Sequence, residues 1–325
     1  MIRAFFLNKK WMLWAYGGGV FLFCSLYAQV HMSVLINDWY GGFYDMLQKA
    51  TEHSLSEFWK SIGKFLSIAM PYVLLATITS YFTRLYSLRW REAITFDYIP
   101  RWRNVASEIE GASQRIQEDT YRFARIVESL GLQVVRALMT LIAFLPVLWG
   151  LGKGVDLPII KDIPGSLVWA ALLVSVGGMV ISWFVGVKLP GLEYNNQKVE
   201  AAFRKELVYG EDNKIDHASL PTMKELFTGI RFNYQRLFLH YGYFDIWLNA
   251  YDQCMVIVPY LIMAPGLFTG VITLGILIQV SNAFSQVHGS LALFIHNWTT
   301  ITELRSIWQR LHEFERNLDT NSSSL

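Results

Sequence analysis

The chain has 325 residues, of which 53% are hydrophobic, 15% aromatic and only 17% charged, with a mean hydropathy of +0.29. Soluble domains carry about 25% charge, so composition argues against a water-soluble enzyme, a disordered chain and a secreted disulfide scaffold. A net charge of +2 is too balanced for a nucleic-acid-binding protein, whose basic face should dominate.

Six segments, near 11–36, 62–85, 132–151, 164–187, 243–267 and 270–298, are apolar over roughly 20 residues each, enough to cross a bilayer as helices. The expected fold class is therefore an all-α integral membrane protein, a single transmembrane domain over 1–318 with a polar tail at 319–325. The first span exceeds the apolar core of a signal peptide and lacks a small-x-small cleavage site, so it is expected to persist in the mature protein. Its Gly17-Gly18-Gly19 run suits close helix packing or a kink. Cys24 and Cys254 lie in apolar stretches with no C-x-x-C partner and read as packing residues.

After the second span comes a connection, 86–131, whose later part 108–130 is rich in Glu, Gln, Arg and Ala and reads as helix. A turn is expected near Asp97–Arg103, where Pro100 interrupts the pattern. At about 100° per residue, positions i, i+7, i+11 and i+18 fall close to one helical line about 27 Å long. Glu110, Gln117, Tyr121 and Glu128 stand on such a line. Arg136 falls inside span three.

The connection 188–242 repeats the design. Its helical stretch 192–209 leads to a tip near 210–221 with Pro221, and the same spacing selects Glu193, Glu200, Arg204 and, if the helix runs that far, Glu211. In span five, Asp245 and Asp252 either line a cavity or pair with Arg136; both readings stand. In span six the spacing selects Gln279, Gln286, Ser290 and Asn297, with Asn282 one turn aside and His288 roughly opposite, as a packing residue. Acidic lines on helices are ordinarily solvated faces, and amides in a span can serve to join packed helices. Against the solvated reading stands Glu128, only a few residues before an apolar run, where an ionisable group is costly unless it faces a cavity or a partner.

Orientation follows from the basic residues, which cytoplasmic segments retain. The short connections on one side hold only Lys49, Lys60, Lys64, Lys153 and Lys161, whereas every other Lys and Arg except Arg136 lies on the opposite side. Both termini and the two long helical hairpins, 86–131 and 188–242, are therefore expected in the cytoplasm. Six spans with long intracellular hairpins form the layout of an ABC exporter membrane domain.

No G-x-x-x-x-G-K-[ST] occurs, and the sequence stops about 25 residues after span six, so no ATPase is expected in this polypeptide. No Ser/His/Asp, Cys/His or metal-spaced set stands out either. The protein is expected not to be an enzyme and to need no cofactor or metal. Asn297-Trp298-Thr299 matches a glycosylation sequon but falls at a span end expected in the cytoplasm.

Several blocks carry a family pattern. They are Glu110-Gly111-Ala112-Ser113-Gln114-Arg115-Ile116-Gln117-Glu118-Asp119-Thr120; Met139-Thr140-Leu141-Ile142-Ala143-Phe144-Leu145-Pro146-Val147; Lys188-Leu189-Pro190-Gly191-Leu192-Glu193; and Arg204-Lys205-Glu206-Leu207-Val208-Tyr209-Gly210-Glu211-Asp212. With Trp39-Tyr40, Phe43-Tyr44-Asp45 and Asn297-Trp298-Thr299-Thr300, they closely resemble the SbmA/BacA family of bacterial inner-membrane peptide transporters over nearly the whole chain. Family members known to carry this pattern have a further N-terminal membrane region ahead of the segment matching Trp11.

The resemblance implies a homodimer in the bacterial inner membrane with an ABC-exporter-like fold and no nucleotide-binding domain. Its partners are then peptide substrates, protons and membrane lipids, with no nucleic acid. Imported peptides and peptide-like antibiotics are driven by the proton gradient past a series of cavity glutamates. The matching positions are Glu118, Glu128, Glu200 and Glu211, with Glu193, Glu206 and Asp119 nearby as proton-coupling candidates. Tyr44, Arg115 and Tyr209 also fall on motif positions and, with Gln279, Gln286 and Asn297 of span six, form the expected substrate cavity. The alternative is the membrane subunit of an ATP-driven transporter whose ATPase is a separate chain.

Overall fold

The computed structural model describes residues 1–105, 109, 111–152, 164–213 and 215–322, which contain helices and connections and no strand. The helices are α1 (Ile2–Phe6), α2 (Leu13–Gln48), α3 (Leu55–Arg103), α4 (Ala112–Leu151), α5 (Ser166–Gly186), α6 (Leu189–Asp212), α7 (Leu220–Phe268), α8 (Leu274–His296) and α9 (Trp298–Ser322). Local sequence sets several ends. Ser54 accepts from the Glu57 amide at 3.3 Å and Thr273 from the Ile276 amide at 3.4 Å, each satisfying a donor that the first helical turn leaves open.

Five helical stretches, beginning at Leu13, Leu55, Ala112, Ser166 and Leu220, are long and apolar enough to cross a membrane. Helix α8, the expected sixth span, is not among them, because Gln279, Asn282 and Gln286 dilute its apolar sequence. Helix α3 runs through Pro100 and ends at Arg103, so the expected interruption at Pro100 does not occur. A proline removes one intrahelical bond, and the flanking turns are held by Ile94 and Tyr98, both 0% exposed. The next helix begins only at Ala112, after Gly111 with φ of 72°, a left-handed conformation that glycine adopts without a side-chain clash. Glu108 and Glu110, which the helical reading included, lie outside the described residues.

The chain divides into two compact units, Met1–Leu172 with Pro259–Leu325, and Leu173–Val258. In the first unit, α8 packs along α2 and α4, and α2 also packs on α3. At one end of α2, Asp45 accepts from the Gly275 amide at 2.8 Å and Gln48 from the Leu274 amide at 2.9 Å, so α2 supplies caps to α8. Gly41 permits this approach, since a Cβ there would lie 2.5 Å from the Gln279 side chain.

At the other end, Ile94 and Tyr98 of α3, Phe123, Ile126 and Leu130 of α4, and Ile307, Leu311, Phe314 and Leu318 of α9 share one buried cluster. Those four α9 positions recur every three to four residues and form one apolar stripe. A second cluster joins Phe5, Trp11, Ala15, Leu22, Tyr86 and Ala93. In the second unit, Trp247 donates to the Ser182 hydroxyl at 2.8 Å, and the Tyr251 hydroxyl reaches the Val174 and Ser175 carbonyls at 3.2 Å.

Candidate functional site

Helix α4 is not regular. Residues Arg115–Asp119 and Val127–Gly131 form two π turns, a wider winding that is rare and concentrated at functional sites. Three of the expected proton-coupling residues sit on them: Glu118 and Asp119 on the first, Glu128 on the second.

Their environments differ. Asp119 is 1% exposed and is held by three bonds: Arg310 of α9 donates from Nε at 3.0 Å and from Nη2 at 2.7 Å, and Arg115 donates from Nη1 at 3.0 Å. Hydrogen bonding to Asp119 raises the pKa of Arg310 above its ordinary value. Glu118, one residue away, is partly exposed and meets Arg122 at 2.7 Å. Arg122 also reaches Glu303 of α9 at 3.3 Å. Glu128 is 34% exposed and faces Arg84 of α3 at 3.6 Å, a distance of loose pairing. On the same helix Gln117 and Tyr121 are exposed, and Arg91 stacks over the Tyr121 ring at 5.0 Å.

In the other unit, α6 continues to Asp212, so Glu193, Glu200, Arg204 and Glu211 do share one helix. Glu193 and Glu200 are half-buried, while Arg204 and Glu211 are exposed. Glu206 has a structural setting: it accepts from the Ala218 amide at 2.9 Å and lies 3.5 Å from His217. Ala218 has φ of 54°, so the carboxylate holds a strained turn between α6 and α7. Tyr209 is exposed, with its ring 5.2 Å from His217.

The polar residues of α8 differ in exposure. Gln286 is exposed, Asn282 is half-buried, Gln279 is half-buried with its side chain against Gly41 of α2, and Ser290 of the expected polar line is buried, as are Val280, Phe284 and Val287. His288 is half-buried. Asn297 closes the junction of α8 with α9 and donates to the Leu293 carbonyl at 3.0 Å. Tyr44 lies near the far end of α2, its ring 6.1 Å from Tyr40. Arg136 donates to Gln29.

Arg84, Arg122 and Arg310, which meet the α4 carboxylates, and Glu303, which meets Arg122, were not anticipated. The 3–4 spacing of Ile307, Leu311, Phe314 and Leu318 was the available signal for α9, and a docked α9 is what brings Glu303 and Arg310 to the π turns.

Residues 8–319 match the SbmA/BacA-like family. Among curated proteins, the chain is 27% identical to the inner membrane ABC transporter ATP-binding protein YddA of Escherichia coli, with 91% of this chain aligned to 56% of that one. It is 26% identical to ABC transporter D family member 2, chloroplastic, of Arabidopsis thaliana, aligning 92% of this chain and 42% of the relative. It is 23% identical to an uncharacterized ABC transporter ATP-binding protein of Synechocystis, aligning 98% and 48%. The chain thus spans about half the length of these relatives. With its membrane-length apolar helices and a match running from residue 8 to residue 319, the chain is an integral membrane protein and belongs to the SbmA/BacA-like family.

Proposed function

We propose that the protein imports peptides and peptide-like antibiotics across the bacterial inner membrane, driven by the proton gradient, by alternating access in a homodimer with both termini cytoplasmic. Helix α8 acts as the sixth span. The observation that carries the reading is the contrast among the α4 carboxylates. Asp119 is buried under two guanidinium groups and serves as a fixed anchor, whereas Glu128 is partly exposed, sits at the foot of an apolar span, and is paired loosely with Arg84 at 3.6 Å.

A proton on Glu128 cancels its attraction for Arg84 and so weakens a tie between α3 and α4. A proton on Glu118 likewise releases Arg122 toward Glu303 of α9. Coupling requires that proton binding favour one conformation over the other, and ties between helices that move are where such a bias acts. Glu193, Glu200 and Glu211 extend the acidic series on α6, while Tyr44, Tyr209, Gln279, Gln286 and Asn297 offer hydrogen bonds to peptide backbone that do not depend on sequence.

A second reading is favoured by the relatives' names: the chain is the membrane subunit of an ATP-driven transporter whose ATPase is a separate chain. Peptide uptake by purified protein in liposomes separates the two. Accumulation under an imposed inward pH gradient without ATP supports proton coupling. Accumulation that survives a protonophore and needs ATP with a second protein replaces it.

A further inference from the structure

Arg136 stands alone in the apolar stretch Leu132–Leu151, and its surroundings are built. The Thr79 hydroxyl donates to the Leu75 carbonyl at 2.7 Å, so its oxygen is free to accept from Gln29 Nε2 at 2.9 Å. That bond turns Gln29 Oε1 toward Arg136, which donates to it from Nη2. Gln29 and Thr79 are each 1% exposed, so three helices, α2, α3 and α4, hold one guanidinium by a directed polar chain.

The support uses only part of the guanidinium. An amide oxygen takes one of the five N–H donors of a guanidinium, and among the described residues of its own unit Arg136 forms no ion pair with a carboxylate. A cation at membrane depth is costly and ordinarily marks a substrate or ion pathway. The planar donor fork matches a carboxylate in two parallel bonds.

Position along the span points the same way. Gln29 precedes Asp45, the residue that caps the start of α8, by about 24 Å of helical rise. Because α8 packs along α2 from that cap, the level of Arg136 on α8 is near Ser290, one turn from the exposed Gln286. A guanidinium and an exposed amide about one helical turn apart on packed helices can hold a carboxylate and the peptide group next to it.

We propose that Arg136, oriented by Gln29 and Thr79, binds the C-terminal carboxylate of the transported peptide. The proposal rests on the peptide-import reading and adds to it a preference for a free C-terminus. It makes Arg136 a substrate-binding residue outside the acidic series.

The test measures binding apart from transport. Purified protein in detergent is titrated with N-acetyl-trialanine as the free carboxylate and as the C-terminal amide. Losing a charge-assisted bidentate pair corresponds to roughly tenfold to hundredfold in affinity, so the carboxylate should bind that much more tightly. Arg136→Gln should bring both forms to the amide's affinity, and Arg136→Lys, which keeps charge without the fork, should fall between. The unchanged amide affinity of the variants shows that they are folded.

Equal binding of the two forms by the wild type, binding of neither, or a preference that survives in Arg136→Gln overturns the proposal. A preference that disappears when anionic lipid is added assigns the guanidinium to a lipid headgroup and also overturns it. In proteoliposomes, failure to accumulate either form under a pH gradient rejects the import reading, whereas the binding comparison still decides the role of Arg136.

Discussion

Replacing Arg310 by Gln removes two of the three charge-assisted bonds to Asp119, at 3.0 and 2.7 Å, and leaves only Arg115 at 3.0 Å. Bonds to charged groups contribute about 1.5–3 kcal/mol each, so an upper limit is about 3–6 kcal/mol. Two features reduce it. Arg310 is 34% exposed, so water and salt already screen part of its attraction, and Arg115 continues to compensate Asp119. A loss of about 2–3 kcal/mol in the docking of α9 on α4 is expected. Docking is read directly by amide hydrogen exchange, because undocked α9 loses the packing of Ile307, Leu311, Phe314 and Leu318. Each 1.4 kcal/mol corresponds to tenfold, so α9 amides should exchange roughly 30- to 150-fold faster. Leu311→Ala, which deletes a 0% exposed side chain at a cost of about 2–5 kcal/mol, provides the comparison. If Leu311→Ala accelerates exchange in α9 and Arg310→Gln does not, Asp119 is not an anchor and the distinction drawn among the α4 carboxylates fails.

Glu128→Gln and Glu200→Gln should each abolish gradient-driven uptake while leaving a folded dimer on gel filtration; wild-type uptake in both rejects the acidic series as the coupling element. Arg84→Gln should change stability by less than about 1 kcal/mol, as expected of a loose exposed pair, yet shift the pH dependence of uptake. After Cys24 and Cys254, both exposed, are replaced, a cysteine at Gln286 should react with a water-soluble thiol reagent and one at Val287 should not, and equal labelling means α8 is not one-sided. Gly178→Ala should lower the thermal stability of the second unit by about 1–3 kcal/mol, because a Cβ there meets the Tyr251 ring directly. An unchanged melting temperature indicates that α5 and α7 do not pack this closely.

Much of the molecule was legible in the sequence because it depends on neighbours a few residues apart. Apolar runs identify the membrane-length helices, period and composition carry the helical reading through Tyr209, which the structure extends to Asp212, and the spacing in span six picks out the exposed Gln286. Composition also explains why α8 reads as weaker than the other spans. Tertiary structure decided which carboxylates are free. Glu118 and Asp119 are adjacent and chemically alike, yet successive helical residues point about 100° apart, so one meets Arg122 at the surface and the other is closed under Arg310. Arg122 and Arg115 are four residues from the carboxylates they meet, within α4, but Arg310, which closes Asp119, and Glu303, which shares Arg122, lie far along the chain and arrive only when α9 docks through its apolar stripe, a contact that no local pattern in α4 encodes. The same holds for Arg136: a lone cation in a span is visible in the sequence, but the chain from Leu75 through Thr79 and Gln29 that orients it exists only where three helices pack, because hydrogen-bond direction is a property of the assembled neighbours.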